Sequence, residues 1–243
     1  MTLFLTSSPF AGEGEPANRA NGFVKRLCEC VEGMKRALLI ASDPENIDMT
    51  EEFSSAVRGT LELTGIVFEE YRILDGRNAS DAAKLVAGSD FIILAGGHVP
   101  TQNRFFQEIG LKELFASFDG VVLGVSAGTM NCADVVYAQP ELEGEGTDPE
   151  YRKFLSGLNL TKCMILPHYQ YTKNCILDGK RIFEDITYPD SMGHTFYALP
   201  DGSYLYSEGG EEKLCGEVYR ICDGICTKVC SEGEELVFNG NAG

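Results

Sequence analysis

The residues with the clearest chemical potential in this sequence form a glycine-flanked serine motif. Gly124, Ser126 and Gly128 give the pattern Gly-x-Ser-x-Gly at the end of the apolar run Val121–Val125. A serine on such a strand-to-helix turn projects its hydroxyl out of the sheet, and the glycines allow neighbouring backbone to approach closely. The pattern also arises by chance in glycine-rich loops, and the chain has 27 glycines. The β-branched strand before the motif and the small residues after it favour a nucleophile elbow.

A serine hydroxyl is a poor nucleophile near neutral pH, so it needs a base within hydrogen-bond reach. The chain has three histidines. His98 follows a glycine turn, His168 ends the apolar strand predicted over residues 163–166, and His194 precedes an aromatic strand. The strand end makes His168 the stronger candidate, because it would point the ring at the carboxyl edge of the sheet. His98 stays as the alternative.

The base in turn needs a carboxylate that orients it. The acidic candidates after His168 are Asp178, Glu184, Asp185, Asp190 and Asp201. Asp201 lies in the tight turn Leu199-Pro200-Asp201-Gly202 after an apolar strand, where a carboxylate can be held in a fixed direction. An Asp-Gly turn without any catalytic role is common, and on the residues alone it is the more frequent explanation.

The elements around these residues alternate between strand and helix. Strands are predicted over residues 3–6, 37–41, 66–73 and 91–95, and helices over 23–32, 48–65 and 80–88, the second capped by Asp48 with Glu51. This order predicts an α/β fold with three layers and a mostly parallel, doubly wound sheet, whose ligands bind at the carboxyl ends of the strands. After His194, turns such as Asp223-Gly224 predict an antiparallel meander that closes the sheet.

Composition limits the possible partners and the redox environment. The 243 residues fit one domain, and a formal charge of −17 opposes binding to nucleic acid or to anionic membranes. No apolar run is long enough for a membrane span, and the first five residues are too few for a signal segment. Nine scattered cysteines are typical of reduced thiols in the cytoplasm. Cys222, Cys226 and Cys230 could form a metal cluster, but their spacing and the turn at 223–224 favour a hairpin.

Two further segments have simple structural interpretations. Residues 137–150 are acidic and rich in glycine and proline, which predicts a mobile surface loop, most simply a solvated linker. Residues 179–186 are predicted to form a helix.

Four motifs together carry a resemblance to a known family. Ala95-Gly96-Gly97, then residues 124–128, then Pro167-His168-Tyr169, then residues 199–202 occur in the order and approximate spacing of the dipeptidase E family of serine peptidases. That family includes the cyanophycinases, and its fold is similar to the class I glutamine amidotransferases and to flavodoxin. The resemblance covers nearly the whole chain. The order Ser, His, acid differs from that of α/β-hydrolases, in which the acid precedes the histidine.

The resemblance implies a role for each matching residue. Ser126 would be the nucleophile, His168 the general base and Asp201 the third member, where dipeptidase E has glutamate. Gly97 and Ala127 would supply oxyanion N–H groups, and a valine at Gly97 is expected to lower turnover with almost no loss of thermal stability. No metal or organic cofactor is implied.

The same resemblance implies a pocket that differs from that of aspartyl dipeptidases. His98 and Gln102 lie where the enteric enzymes have an asparagine-threonine pair, and Asp178 aligns with the arginine that holds an acidic substrate side chain. These three residues are therefore candidates for substrate contacts, and aspartyl specificity is not expected.

The function predicted is a cytoplasmic serine exopeptidase, a monomer or homodimer, that hydrolyses short peptides through an acyl-enzyme. Two other functions are kept as alternatives. The first is a cyanophycinase-like isopeptide hydrolase, which the negative charge makes less attractive because its substrate polymer is acidic. The second is a catalytically silent binding protein that retains the elbow as a ligand pocket.

Overall fold

The computed structural model describes residues 1–240 and contains a large mixed sheet, a smaller second sheet and two two-stranded antiparallel sheets. The strands are β1 (Thr2–Thr6), β2 (Arg36–Ile40), β3 (Glu70–Leu74), β4 (Phe91–Leu94), β5 (Val121–Val125), β6 (Val135–Tyr137), β7 (Phe154–Ser156), β8 (Met164–Leu166), β9 (Ile176–Leu177), β10 (Lys180–Arg181), β11 (Thr195–Ala198), β12 (Tyr204–Glu208), β13 (Glu211–Cys215), β14 (Val218–Cys222), β15 (Ile225–Cys230) and β16 (Glu235–Phe238). The helices are α1 (Phe23–Val31), α2 (Ile47–Thr64), α3 (Ala82–Ala87), α4 (Val99–Glu108), α5 (Leu111–Phe115), α6 (Ala127–Met130), α7 (Tyr169–Thr172) and α8 (Tyr188–Asp190).

The central sheet has the strand order β16-β13-β12-β1-β5-β4-β2-β3. The five strands from β1 to β3 in that order are parallel, and β12, β13 and β16 are antiparallel. Residues along β1 alternate between the two faces: Leu3 and Leu5 pack with α3, α4 and α5, whereas Phe4 packs with α1 and α2. The predicted fold class, a three-layer and mostly parallel α/β sheet, is confirmed.

The C-terminal strands are divided between two sheets, which corrects the prediction of one meander closing one sheet. β12, β13 and β16 extend the central sheet, whereas β14 and β15 join β11 and β8 in a second sheet of order β15-β14-β11-β8. The chain leaves the central sheet at Gly216, whose φ of 97° suits glycine. Beyond this turn Ile221 is fully buried in an apolar cluster that contains no strand residue of the central sheet, whereas Val218 on the same strand belongs to a cluster shared with central-sheet residues such as Leu5.

Helix α2 ends at Gly65 as predicted, but its N-terminal cap and the start of the following strand differ from the prediction. Asn46 caps it, because its side chain accepts a hydrogen bond from the amide of Met49 at 3.3 Å, and Asp48 lies inside the first turn. At the other end Gly65 adopts a left-handed conformation and the amide of Ile66 bonds to the carbonyl of Leu61. Ile66 therefore completes the helix cap, and the following strand begins only at Glu70.

The helix predicted over residues 179–186 is wrong in its first half. Asp178 and Gly179 have φ values of 53° and 76° and form the two-residue turn between β9 and β10. Two consecutive positive φ values are typical of an Asp-Gly hairpin turn. A π-helical turn then covers Ile182–Thr187. Another Asp-Gly pair, residues 223–224, forms the predicted hairpin between β14 and β15.

Two kinds of feature considered from the sequence are absent from residues 1–240. No helix there is both long and apolar enough to span a bilayer. In that same part of the chain, no cluster of histidine, cysteine or acidic side chains is arranged to hold a metal ion.

Candidate active site

Ser126 lies on a sharp turn between β5 and the single-turn helix α6. Its backbone has φ 50° and ψ −109°, a strained conformation for a residue with a side chain. A Cβ on Gly128 would lie 2.3 Å from the carbonyl oxygen of Leu94, and one on Gly124 would lie 2.8 Å from Oγ1 of Thr129. Both glycines are therefore required by close packing, as expected for a nucleophile elbow.

A continuous row of hydrogen bonds joins Ser126, His168 and Asp201. Nε2 of His168 lies 2.9 Å from Oγ of Ser126, and Nδ1 lies 2.8 Å from Oδ1 of Asp201. His168 follows β8 in a left-handed conformation with φ 56°, and Asp201 lies in the turn between β11 and β12. With Nδ1 protonated and bonded to the carboxylate, Nε2 can accept the serine proton. This is the geometry of a nucleophile, a base and an orienting acid.

The environment keeps Asp201 ionised. Burial acts to raise the pKa of this carboxyl, but hydrogen bonds from His168 and Ser7 outweigh burial and hold the pKa below its ordinary value. Oγ of Ser7 lies 2.7 Å from Oδ1 of Asp201, and the amide of Asp201 donates to Oε1 of Gln170 at 3.0 Å. A negative charge is thus maintained beside the imidazole, where it would stabilise an imidazolium if the ring took up a proton.

Ser7 and Gln170 are the site residues that sequence reasoning missed. Ser7 directly follows β1, and Gln170 lies in α7, two residues after His168. A small polar residue at the end of a central parallel strand was the available signal for Ser7, because ligands and catalytic groups gather at that edge of the sheet.

The two backbone amides predicted to bind an oxyanion, those of Gly97 and Ala127, lie after neighbouring strands of the central sheet. β4 and β5 pair with Leu94 opposite Gly124. Gly97 lies three positions after Leu94, and Ala127 lies three positions after Gly124. Within residues 1–240 the amide of neither residue has a hydrogen-bond acceptor. Because α6 has only four residues, free N–H groups would provide the stabilisation, and a helix dipole contributes little.

Gly97 also has an architectural constraint, which corrects the expectation that a valine there would leave stability almost unchanged. Its φ is 152°, and a Cβ would lie 2.3 Å from Oγ and 2.6 Å from Cβ of Ser42. Gly97→Ala is expected to lower stability by roughly 1–3 kcal/mol and turnover by ~10²-fold. Thermal unfolding and kcat, measured together, test both effects.

Ser42→Gly provides the control for this clash. Combined with Gly97→Ala it removes both atoms that a new Cβ would meet, so it should recover part of the lost stability without recovering turnover. Full recovery of turnover in the double variant would show that the loss of turnover came from the clash with Ser42 and not from a side chain at residue 97 intruding on the pocket.

The chain was also compared with known proteins. The sequence model described as "Peptidase family S51" matches residues 3–215, which is most of the chain. The chain belongs to peptidase family S51. The predicted resemblance to dipeptidase E-type peptidases is thereby confirmed at the level of the family, and this family makes the protein a peptidase.

Solved structures show the same fold for this S51 peptidase. A peptidase from an acI-B1 Actinobacterium superimposes with a TM-score of 0.64 at 20% identity, over 98% of this chain and 96% of the other. A protein from Listeria monocytogenes EGD-e, provisionally named as a peptidase E, gives a TM-score of 0.57 at 18% identity, over 94% and 98%. A search of curated proteins found no match to the chain.

Two of the three residues predicted to contact substrate in this S51 peptidase instead make hydrogen bonds within the protein. Gln102 is fully buried in α4, where Nε2 donates to the carbonyl of Ala95 at 2.7 Å and Oε1 accepts from Asn131. It therefore holds the β4–α4 turn, and the prediction that it contacts substrate is wrong. Asp178 accepts from the amides of Gly144 and Gly146, both at 2.9 Å. It is not the free pocket carboxylate that was predicted.

His98 lies at the edge of the site and is tied to the acidic loop. Its ring contacts Oγ1 of Thr101 through Nδ1 and Oε1 of Glu145 through Nε2, each at 2.8 Å. Ser126 is bonded to His168 instead, so the structure places His168, and not the alternative His98, in reach of the hydroxyl. His194 stacks on Phe154 with ring centroids 4.4 Å apart and is part of an aromatic cluster.

The loop over residues 138–150 is tied by hydrogen bonds to the start of α4 and to the β9–β10 turn, whereas a mobile linker was predicted. Asp178 binds its backbone amides, and Nζ of Lys180 donates to the carbonyl of Gly146 at 2.8 Å. Oε2 of Glu145 accepts from the amides of Glu141 and Leu142 inside the loop. These contacts fix the carboxylates of the loop beside the candidate active site.

The remaining acidic candidates have partners away from His168. Asp185 pairs with Arg181 at 2.7 Å, and Asp190 accepts from Tyr137 and Lys153, each at 2.8 Å. Glu184 is exposed. Of the five carboxylates considered from the sequence, Asp201 is the one that the structure brings to the imidazole.

Proposed function

We propose that this S51 peptidase is a serine exopeptidase that hydrolyses short peptides through an acyl-enzyme on Ser126. The observation that carries the proposal is the unbroken row of hydrogen bonds from Ser126 through His168 to Asp201. An isolated serine in a glycine turn would have no reason to be paired with a histidine whose other nitrogen is held by a carboxylate. Membership of a peptidase family supports the same reaction.

The proposed reaction has two steps on the same three residues. Nε2 of His168 takes the proton of Ser126 as Oγ attacks the scissile carbonyl, and the resulting oxyanion is bound by the amides of Gly97 and Ala127. The imidazolium then gives its proton to the leaving amine, and the C–N bond breaks to leave an acyl-serine. Water, deprotonated by the same nitrogen, attacks the ester and releases the acid product with Ser126 restored.

A fluorophosphonate probe tests the proposal directly. Covalent labelling of the wild-type chain, absent in Ser126→Ala, together with release of amino acids from a panel of short peptides, is the expected result. Labelling without any peptide hydrolysis, but with release from β-linked aspartyl peptides, would instead indicate the isopeptide hydrolase. Absence of both labelling and hydrolysis would leave a silent binding protein.

We further propose that dipeptides with an N-terminal aspartate are not preferred. The carboxylate of Glu141 has an oxygen 3.4 Å from the amide of Val99, two residues after Gly97. Desolvation by surrounding protein raises the pKa of Glu141 although the residue retains solvent contact, and the nearby His98 and His168 act in the opposite direction. A second carboxylate entering this region would be repelled by more than ~1 kcal/mol. The two cations next to Asp178 already have partners within the protein, since Lys180 donates to the carbonyl of Gly146 and Arg181 pairs with Asp185.

Matched dipeptides with N-terminal aspartate and asparagine provide the measurement, because the two residues differ mainly in charge. We expect kcat/KM for the aspartyl peptide to be lower by about tenfold or more, and Glu141→Gln to narrow the difference. Glu143→Gln is the control, since Glu143 is an exposed carboxylate in the same loop. A wild-type preference for aspartate would contradict the expectation.

A further inference from the structure

Ser7 occupies a central position beneath the candidate active site. It directly follows β1, which lies between β5 and β12 in the central sheet. β5 leads into Ser126, and β12 begins just after the turn that carries Asp201. Ser7 is fully buried, and its amide donates to the carbonyl of Ser203 at 3.2 Å, so its side chain is held in a fixed direction.

The hydroxyl of Ser7 connects two parts of the His168–Asp201 pair. It accepts a hydrogen bond from the backbone amide of His168 at 2.7 Å and lies 2.7 Å from Oδ1 of Asp201. Because a hydroxyl has one proton and a carboxylate only accepts, the Ser7 proton must point to Asp201. The same oxygen of Asp201 also accepts from Nδ1 of His168. Two donors, the Ser7 hydroxyl and Nδ1 of His168, therefore meet at this oxygen and fix where the imidazole lies.

Two features make this connection more than ordinary packing. His168 has φ 56°, a conformation that a residue with a side chain adopts only when its surroundings hold it there, and the bond from its amide to Ser7 is one such restraint. The bond from Ser7 to Asp201 also favours the ionised carboxylate, since a donor stabilises negative charge. One hydroxyl thus acts on both the orientation of the base and the charge of the acid.

We propose that Ser7 is a positioning residue for the catalytic pair, which it holds in register and in the correct charge state for proton transfer from Ser126. The proposal rests on the serine peptidase function proposed above. Ser7 does not touch the reacting atoms, so its effect is transmitted through His168 and Asp201.

The test is the pH profile of Ser7→Ala. Loss of the donor raises the pKa of Asp201, and a protonated Asp201 cannot stabilise the imidazolium, so the acidic limb of kcat/KM should move to higher pH by about one unit. At the pH optimum kcat should fall at least ~10-fold, with KM little changed. Ser7→Thr keeps the hydroxyl and should restore the wild-type limb.

Thr161→Val is the matched control for stability. The Thr161 hydroxyl accepts from the amide of Cys163 and donates to the carboxylate of Glu212, both at 3.0 Å, and it is also buried. The Thr161 hydroxyl makes the same two kinds of hydrogen bond as the Ser7 hydroxyl. It lies before β8, whereas His168 lies after that strand, so the substitution is expected to leave the surroundings of His168 unchanged. Thr161→Val should lower stability without moving the pH profile. An equal shift of the profile in both variants, or an unchanged profile in Ser7→Ala, would overturn the proposal.

A measurement without substrate separates this proposal from the proposed function. The proton on Nδ1 of His168 is expected to give a downfield NMR resonance, which is assigned by its loss in His168→Ala. In Ser7→Ala this resonance should move or broaden, and in Thr161→Val it should not. If alanine prevents folding, Ser7→Cys fills a similar volume with a weak donor and should show the same change. If the folded wild-type chain showed the Ser7-dependent resonance but no fluorophosphonate labelling, the proposed acyl-enzyme on Ser126 would be refuted, while the role of Ser7 in positioning His168 and Asp201 would stand.

Discussion

Replacing Ser126 by alanine is expected to reduce peptide hydrolysis nearly to background, and His168→Ala to do the same. The double variant should be no worse than either single variant, because nucleophile and base act as one unit and removal of one makes the other ineffective. The measurement is kcat/KM for one peptide in the two single variants and the double variant. The 2.9 Å contact between Oγ and Nε2 is the structural reason for expecting this loss of additivity.

His98→Ala is the informative companion to these variants. The ring of His98 is bonded to Thr101 and Glu145, so its removal should leave the acyl transfer chemistry in place and alter mainly substrate binding. If His98→Ala abolished turnover while His168→Ala retained it, the assignment of His168 as the base would be wrong. Circular dichroism of each variant distinguishes loss of chemistry from loss of folding.

Asp201→Asn is expected to keep the fold and lower kcat by roughly 10⁴-fold, the scale of the same change in other Ser-His-Asp enzymes. An amide at this position cannot stabilise the imidazolium, and its NH₂ group favours the wrong tautomer of His168. The change also replaces the charged acceptor of the Ser7 hydroxyl by a neutral amide.

A comparable change elsewhere shows whether the effect is specific to the site. Asp190 accepts from Tyr137 and Lys153 in the same half of the chain, so Asp190→Asn removes a bonded carboxylate without touching His168. It should lower stability modestly and leave kcat close to that of the wild type. An intact rate in Asp201→Asn would return Asp201 to the role of an ordinary turn residue.

The site residues that could be predicted from the sequence are those that lie where an apolar strand pattern meets a turn pattern. Ser126, His168 and Asp201 each follow an apolar strand at a turn, and Gly128 is demanded by the approach of the Leu94 carbonyl. Such positions have a local signature, because the strand before them and the turn after them are both visible in the residue types.

The parts that could not be predicted depend on contacts between distant segments. Ser7 is recognisable only once β1 is known to lie between β5 and β12, and 161 positions separate it from His168 along the chain. Gln102 is a polar residue type that often contacts substrates, yet here its side-chain amide donates to a buried backbone carbonyl. Only its burial in the structure distinguishes these two roles. The Asp178-Gly179 hairpin did have a sequence signal, since Asp-Gly is typical of two-residue turns.

The division of the C-terminal strands between two sheets has a consequence for how activity depends on the rest of the molecule. Ser126 and Ser7 directly follow strands of the central sheet, His168 follows a strand of the second sheet, and Asp201 lies in the crossing from β11 to β12. The lengths of the two hydrogen bonds of the imidazole therefore depend on the position of one sheet relative to the other. A change of one ångström in that relative position would separate donor from acceptor while leaving each sheet intact. Residues at the interface between the sheets, far from any substrate, thus determine whether both hydrogen bonds of His168 can form.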